Sequence, residues 1–237
     1  MSEVAKQAIA EVSHINIDEL IKPKSFTAEL EESIRGHIHE ELTSWLFFRK
    51  LAADCSSANI CLHGFAMLFD RFAAQCLLDM HWLEKYLITR GGTSKPTPIH
   101  PPSNACFPSS PVEPVRPTRD ALAVQKRLLE DLERLVVLAT RSGDTSLAIA
   151  VENRFLRKQV RYVKDLGDLL QQVTRVSKQA GLGLYQLDME LRKFKGKISW
   201  AYSNDPDKHD RQVDDLVTRI TEGMEVTEGA KHHGFGH

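Results

Sequence analysis

Two long stretches, Ile34 to Cys55 and Ile60 to Thr89, carry apolar residues at alternating steps of four and three. The first stripe is Ile34, Ile38, Glu41, Trp45, Phe48, Ala52 and Cys55. The second is Leu62, Phe65, Phe69, Phe72, Cys76, Asp79, Leu83 and Tyr86. This spacing keeps each set on one face of an α-helix. Each stripe also holds one acid. A carboxylate turned towards a helix-bundle core is costly unless it is paired, hydrogen-bonded or bound to metal, so Glu41 and Asp79 mark where chemistry is to be sought. Ser56-Ser57-Ala58-Asn59 separates the stretches with residues suited to capping a helix, and Arg90-Gly91-Gly92 closes the second. The expectation is an antiparallel hairpin of one helix from about Thr27 to Cys55 and another running to Thr89.

A second hairpin follows. Ala121, Gln125, Leu128, Leu132, Leu135 and Ala139 form the stripe of a third helix, starting after Pro117 with Thr118 as N-cap and ending near Arg141. Ser142-Gly143-Asp144-Thr145 is a tight turn. The fourth helix, to about Gln179, has the stripe Glu152, Phe155, Gln159, Tyr162, Leu166, Leu169, Val173 and Val176. Thr93 to Pro117 links the hairpins and contains eight of the ten prolines. As polyproline II it reaches about 75 Å, enough to return along a helix of about 45 Å. The predicted fold is thus an all-α four-helix bundle with one long crossover, rather than an up-down-up-down bundle. After Gly181 and Gly183 comes a short helix, Leu184 to about Phe194, whose trailing Arg192, Lys193, Lys195 and Lys197 read as charge at a helix C-terminus. Val213, Leu216, Val217, Ile220 and Met224 predict one further amphipathic helix. The chain divides into an arm over 1–26, broken by Pro23, a bundle over 27–195 with its crossover at 93–117, and an extension over 196–237.

Composition narrows the function. With 237 residues, 42% of them hydrophobic, the chain can bury one sizeable core. A net charge of -1 gives no general argument for a nucleic-acid or membrane partner. No apolar run suits a signal peptide or a membrane span, so a cytoplasmic protein is expected. Cys55, Cys61, Cys76 and Cys106 match no zinc spacing. Reduced thiols are the expectation, although Cys55 and Cys61 flank the first turn and could lie close together. Glu11-Val-Ser-His14 spells Glu-x-x-His, but it stands alone and outside the bundle, whereas a di-iron bundle needs the motif twice on core helices. His232, His233 and His237 have no helical spacing to fix a metal geometry.

The order of these features resembles the ferritins. The likeness covers about Ile34 to Lys195 and rests on the first hairpin ending in Arg90-Gly91-Gly92, the long crossover, and Leu138-Ala139-Thr140. Gln159-Val160, Leu166-Gly167-Asp168 and the short fifth helix add to it. Within the family the chain looks most like the artemins, ferritin relatives of dormant crustacean embryos. That likeness rests on His37-Ile38-His39 before Glu41-Leu42, on Asp54-Cys55, on Tyr86 with Thr89-Arg90-Gly91-Gly92, and on Lys193-Phe194-Lys195 with Ile198 opening a long extension. This chain is much poorer in cysteine than the artemins. The resemblance implies a hollow shell of twenty-four subunits, with the fifth helix at the fourfold axes and the extension inside.

The resemblance also says where a ferroxidase centre would lie, and the positions carry over poorly. The first-helix glutamate is kept as Glu41, but the tyrosine position is Phe48. The second-helix acids become Gln75 and Cys76, and the histidine becomes Asp79. The third-helix glutamate is Gln125, while the fourth-helix glutamine is kept as Gln159. Hard oxygen and nitrogen donors are what iron requires, and this set is short of them. No resident metal or cofactor is therefore expected, with Glu41 and Asp79 as weak candidates at most and a buried hydrogen-bonded network of Glu41, Asp79, Gln125 and Gln159 in the metal's place. The cavity-face nucleation positions read Arg71, Ala74, Gln75, Leu78 and His81. At the threefold channels Ile149 replaces one acid and Glu152 remains. Three functions stay open: a non-iron cage protecting client proteins, and possibly RNA, under stress or in dormancy; an iron-storage (light-type) subunit working with a catalytic partner in a mixed shell; and a carrier of a softer metal at Glu41, Cys76 and Asp79.

Overall fold

A computed structural model of the chain describes residues 16–95, 98–99, 106–178, 181–200 and 211–219. Helix α1, Ile17–Ile21, precedes four long antiparallel rods. Helix α2 is Ala28–Ser56 and α3 is His63–Thr89. Helix α4 is Val115–Arg141. The fourth rod is built from α5, Thr145–Val151, a π-helical turn, Glu152–Leu156, and α6, Arg157–Val176. Helix α7, Leu182–Lys193, packs across the start of α3, and residues 211–219 form a last helical segment. The expected tail residues Ile220 and Met224, Glu11 and His14, and the terminal histidines lie outside the described residues.

Helix ends follow local chemistry. The Thr27 hydroxyl accepts from Leu30 N–H at 3.2 Å, and the Asp144 carboxylate accepts from Leu147 N–H at 3.1 Å. Each satisfies one amide that would otherwise lack a partner in the first turn. Gly143, at φ +72°, turns the chain between α4 and α5 in the left-handed region that suits glycine. Helix α4 begins earlier than the sequence suggested. Glu113 accepts from Val115 and Arg116 N–H, and Pro117 sits in the first turn, where its missing N–H removes no helical bond. Thr118 is therefore buried inside the helix rather than capping it, and its hydroxyl donates to Pro114 O at 2.8 Å.

Two of the expected stripes need correcting. On α2 the buried line runs through Ile34, His37, Glu41, Ser44, Phe48, Leu51 and Cys55, so Ile38 and Trp45 sit on its half-buried flank. On the fourth rod, Leu147 and Val173 are both fully buried and 26 residues apart (173 − 147). In a plain α-helix of 3.6 residues per turn they would be about 80° out of phase. The π turn absorbs one extra residue and restores the alignment. Upstream of it Val151, not Glu152, therefore faces the core, and Glu152 is exposed. Downstream, Lys158 and Gln159 both face inward.

The core has two parts. Phe26, Leu30, Ile34, Leu83, Leu87, Leu132, Leu135 and Phe155 fill one end. Phe47, Phe48, Phe65, Phe69, Phe72, Leu166 and Leu169 belong to the other, with α7 supplying Leu187 and Leu191. Gly64 is required where α7 crosses α3, because a Cβ there would stand 1.9 Å from Asp188 O.

Candidate functional site

Between the two apolar clusters the rods turn polar side chains towards one another. Helix α2 supplies His37, Glu41 and Ser44. Helix α3 supplies Gln75, Cys76 and Asp79, α4 supplies Gln125, and α6 supplies Lys158, Gln159 and Tyr162. All ten are buried.

The centre of the site is an ion pair. Lys158 Nζ donates to Asp79 Oδ1 at 2.6 Å and to Oδ2 at 2.5 Å, with the two side chains 1% and 4% exposed. Gln75 Nε2 donates to Asp79 Oδ1 at 2.9 Å, and Tyr162 OH donates to Gln75 Oε1 at 3.2 Å. Glu41 stands on the opposite rod, its Oε1 3.4 Å from His37 Nε2. Burial raises the Glu41 carboxyl above its ordinary range; contact with His37 works the other way, and the charge of Asp79 adds to the rise. Burial likewise pushes the Cys76 thiol well above its usual value, with Glu41 and Asp79 reinforcing the shift. Gln159 Nε2 donates to Gln125 O at 2.9 Å and also to Gln125 Oε1. Phe48, fully buried, stacks on Phe72 at 5.3 Å between ring centroids.

Of the residues singled out in the sequence, Glu41, Gln75, Cys76, Asp79, Gln125 and Gln159 therefore converge, with Phe48 as an apolar lid on one side. They do not form one network. Asp79, Gln75, Lys158 and Tyr162 make one set, Gln125 and Gln159 a second, and Glu41 a third with His37 and Cys76. Lys158 was missed. A lysine reads as a surface residue, but it lies three residues after Phe155 and four before Tyr162, on the same helical face, and the core acid Asp79 called for a cation.

These residues do not fit a pair of iron ions. Both oxygens of Asp79 are taken by an ammonium group, and Gln75, Gln125 and Gln159 contribute neutral amides. Cys76 offers a soft sulfur donor in place of the oxygen and nitrogen donors that suit iron. Among the described residues no group of three or more His, Cys, Asp or Glu side chains is placed to hold a metal ion. No helix among them is long and apolar enough to cross a membrane.

The structure also places residues outside this cluster. Ile149 and Glu152 lie exposed on the fourth rod. Of the predicted nucleation positions, Gln75 points into the bundle and His81 is exposed. Arg71 and Ala74 are covered by the segment 211–219: Val213 and Val217 cluster with Ala74, Leu78 and Leu216 pack against them, and Asp214 accepts from Arg71 Nη1 at 2.5 Å and from Lys197 Nζ at 2.6 Å. The four cysteines are free thiols, Cys55 and Cys76 buried, Cys61 and Cys106 exposed.

Comparison with known proteins agrees with this architecture. The Ferritin-like domain family matches residues 31–176. A chloroplastic ferritin of Phaseolus vulgaris is 28% identical over 169 residues, covering 70% of this chain and 65% of its own length. A chloroplastic ferritin of Arabidopsis thaliana is 26% identical over 166 residues, or 70% and 63% of the two chains. The ferritin-1 heavy chain of Schistosoma mansoni is 26% identical over 167 residues, or 70% of this chain and 93% of that one. The chain thus spans just under two thirds of the plant relatives' length and almost all of the fluke protein's. With its four rods, its long crossover and a family match over more than half its residues, the chain belongs to the ferritin-like family.

Proposed function

We propose that this chain is a cage-forming subunit in which iron oxidation has been given up and the shell serves a protective, artemin-like role for client proteins in stressed or dormant cells. The observation that carries the reading is the Lys158 ammonium on Asp79. It supplies from within the chain the positive charge that a metal would otherwise bring, and it uses both carboxylate oxygens in doing so.

Assembly has its own support. Leu182, Tyr185 and Met189 are 78%, 61% and 40% exposed at steps of three and four on α7, while Leu187 and Leu191 of the same helix are buried. A short helix with apolar residues on two faces suits burial of the second face against other copies. A homo-oligomer of twenty-four subunits in the cytoplasm is the arrangement proposed. In that arrangement the segment 211–219, which packs on α3, is proposed to lie on the cavity side.

The assembled protein offered ferrous iron in air should take up a handful of ions or none, and should keep a heat-denaturing client soluble. A visible mineral core would overturn the proposal. The alternative, a storage subunit in a mixed shell, is favoured by the ferritin relatives, and the same core formed only after co-assembly with a catalytic subunit would establish it. A soft-metal carrier fits less well, because Lys158 already occupies both oxygens of Asp79.

A further inference from the structure

Lys158 and Asp79 are placed for more than an ion pair. The amine lies within hydrogen-bond reach of both carboxylate oxygens, and both side chains are almost wholly shielded from water. Aromatic rings close over the pair: Lys158 Nζ is 5.1 Å from the Phe155 ring centroid, and Tyr162 packs edge-on against Phe72. Two charges kept there bear a desolvation penalty that their attraction offsets only in part. Transfer of one proton from nitrogen to oxygen leaves a neutral amine beside a neutral acid, which are the reactants of amide formation.

The other groups needed are also present. Glu41 is buried among the same ten side chains, and burial raises its carboxyl above the ordinary range, with the charge of Asp79 adding to the rise. It is the buried acid of the cluster left to carry a proton between nitrogen and oxygen, in a site shielded from solvent. The Gln75 amide donates to Asp79 Oδ1 at 2.9 Å and is itself held by Tyr162 OH. That is a hydrogen-bond donor fixed on the oxygen where negative charge develops when a nucleophile adds to the carbonyl carbon.

We propose that Lys158 and Asp79 condense to an intramolecular amide that ties α6 to α3 across the middle of the bundle. In the step, the lone pair of the neutral Nζ adds to Asp79 Cγ and the carbonyl electrons move onto Oδ1, which takes the Gln75 hydrogen bond. Glu41 receives a proton from Nζ and returns one to Oδ2. The tetrahedral centre collapses, the Cγ–Oδ2 bond breaks, and one water leaves. A C–N bond replaces a C–O bond, nothing is oxidised or reduced, and no cofactor takes part. Fixing both reactants on packed helices makes slow chemistry feasible, since well-oriented intramolecular reactions reach effective concentrations of about 10⁵–10⁸ M. The product removes both charges from the core. This inference rests on the pair and its neighbours, not on the protective role proposed above.

Mass spectrometry of the full-length chain, denatured and reduced, tests it. The expected mass is that of the sequence less one water. Tryptic digestion should give the peptide Phe72–Lys85 joined through a side chain to Lys158–Arg161, with no cleavage after Lys158. Lys158→Arg keeps a cation but cannot form the bond, and should show the full sequence mass. Glu41→Gln, checked for intact helix content by circular dichroism, should leave most of the chain unlinked. Asp79→Asn should still form the link, now with loss of ammonia. Wild-type protein at full mass, with Phe72–Lys85 free and cleavage after Lys158, would overturn the proposal and leave an ion pair only. A fully linked Glu41→Gln variant would overturn the relay assigned to Glu41.

Discussion

Val213→Asp should detach the C-terminal segment from α3 and leave the bundle standing. Val213 is fully buried, and its cluster with Ala74 and Val217 shares no residue with either part of the bundle core. Losing the burial of one valine side chain removes about 1.5–3 kcal/mol, and a carboxylate placed there resists returning. Since each 1.4 kcal/mol is tenfold in an equilibrium, opening of 211–219 should become about 10- to 100-fold more frequent. Amide hydrogen exchange reads this directly, peptide by peptide. Peptides spanning 211–219 should exchange faster by that factor, and those from α2, α4 and α6 should not change. The melting temperature of the bundle should move by no more than about 1–2 °C, because the lost contacts lie outside its core. Unchanged exchange in 211–219 would refute the packing of the segment on α3. A fall in melting temperature of more than about 5 °C would refute its independence from the core.

The pH dependence of the same contact has a definite sign. Burial acts against the Asp214 carboxylate, but hydrogen bonds and charge from Lys197 and Arg71 outweigh it and hold the group below its ordinary range. A depressed acid stabilises its contact above the unfolded value, about 3.9 for aspartate, and loses that contribution as pH falls further. Exchange protection of 211–219 should thus be flat from neutral pH down to about pH 5 and decline below about pH 4. Phe48→Ala should cost about 3–5 kcal/mol, or about 6–20 °C in melting temperature, because the ring is fully buried against Phe47, Phe69 and Phe72. Gly64→Ala should weaken the docking of α7 by about 1–3 kcal/mol, seen as faster exchange in Leu182–Lys193, since its Cβ meets Asp188 O at 1.9 Å. Replacing Leu182, Tyr185 and Met189 together by serine should shift the assembled particle to smaller species on size-exclusion chromatography, without loss of helix content.

Much of the fold was legible because it rests on local rules. Thr27 and Asp144 cap where their side chains permit, and every position of the predicted α4 stripe, from Ala121 to Ala139, is buried. The acids Glu41 and Asp79 stood out as charges in apolar stripes, and both are in the core. What was not legible depends on contacts distant in sequence. The choice of His37 and Ser44 over Ile38 and Trp45 is made by the partners of α2, not by the helix itself. Pro117 marks a first turn rather than a boundary because Glu113 completes the start of α4. Lys158 is hidden by composition: a lysine turns inward only where an acid 79 residues away awaits it.

The π turn at Glu152–Leu156 has a consequence for how the site can vary. It works as a phase-setter between two halves of one rod, with Leu147 and Val151 locking the near half and Leu166, Leu169 and Val173 locking the far one. Neither half can rotate to accommodate the other. Deleting one residue of the five would leave Leu147 and Val173 25 residues apart (26 − 1) in a plain α-helix, within about 20° of alignment. Both the near end of the core and the Lys158–Asp79 pair would then keep their faces. The inward lysine and the extra residue upstream are therefore separable: the rod can lose the residue and keep the pair.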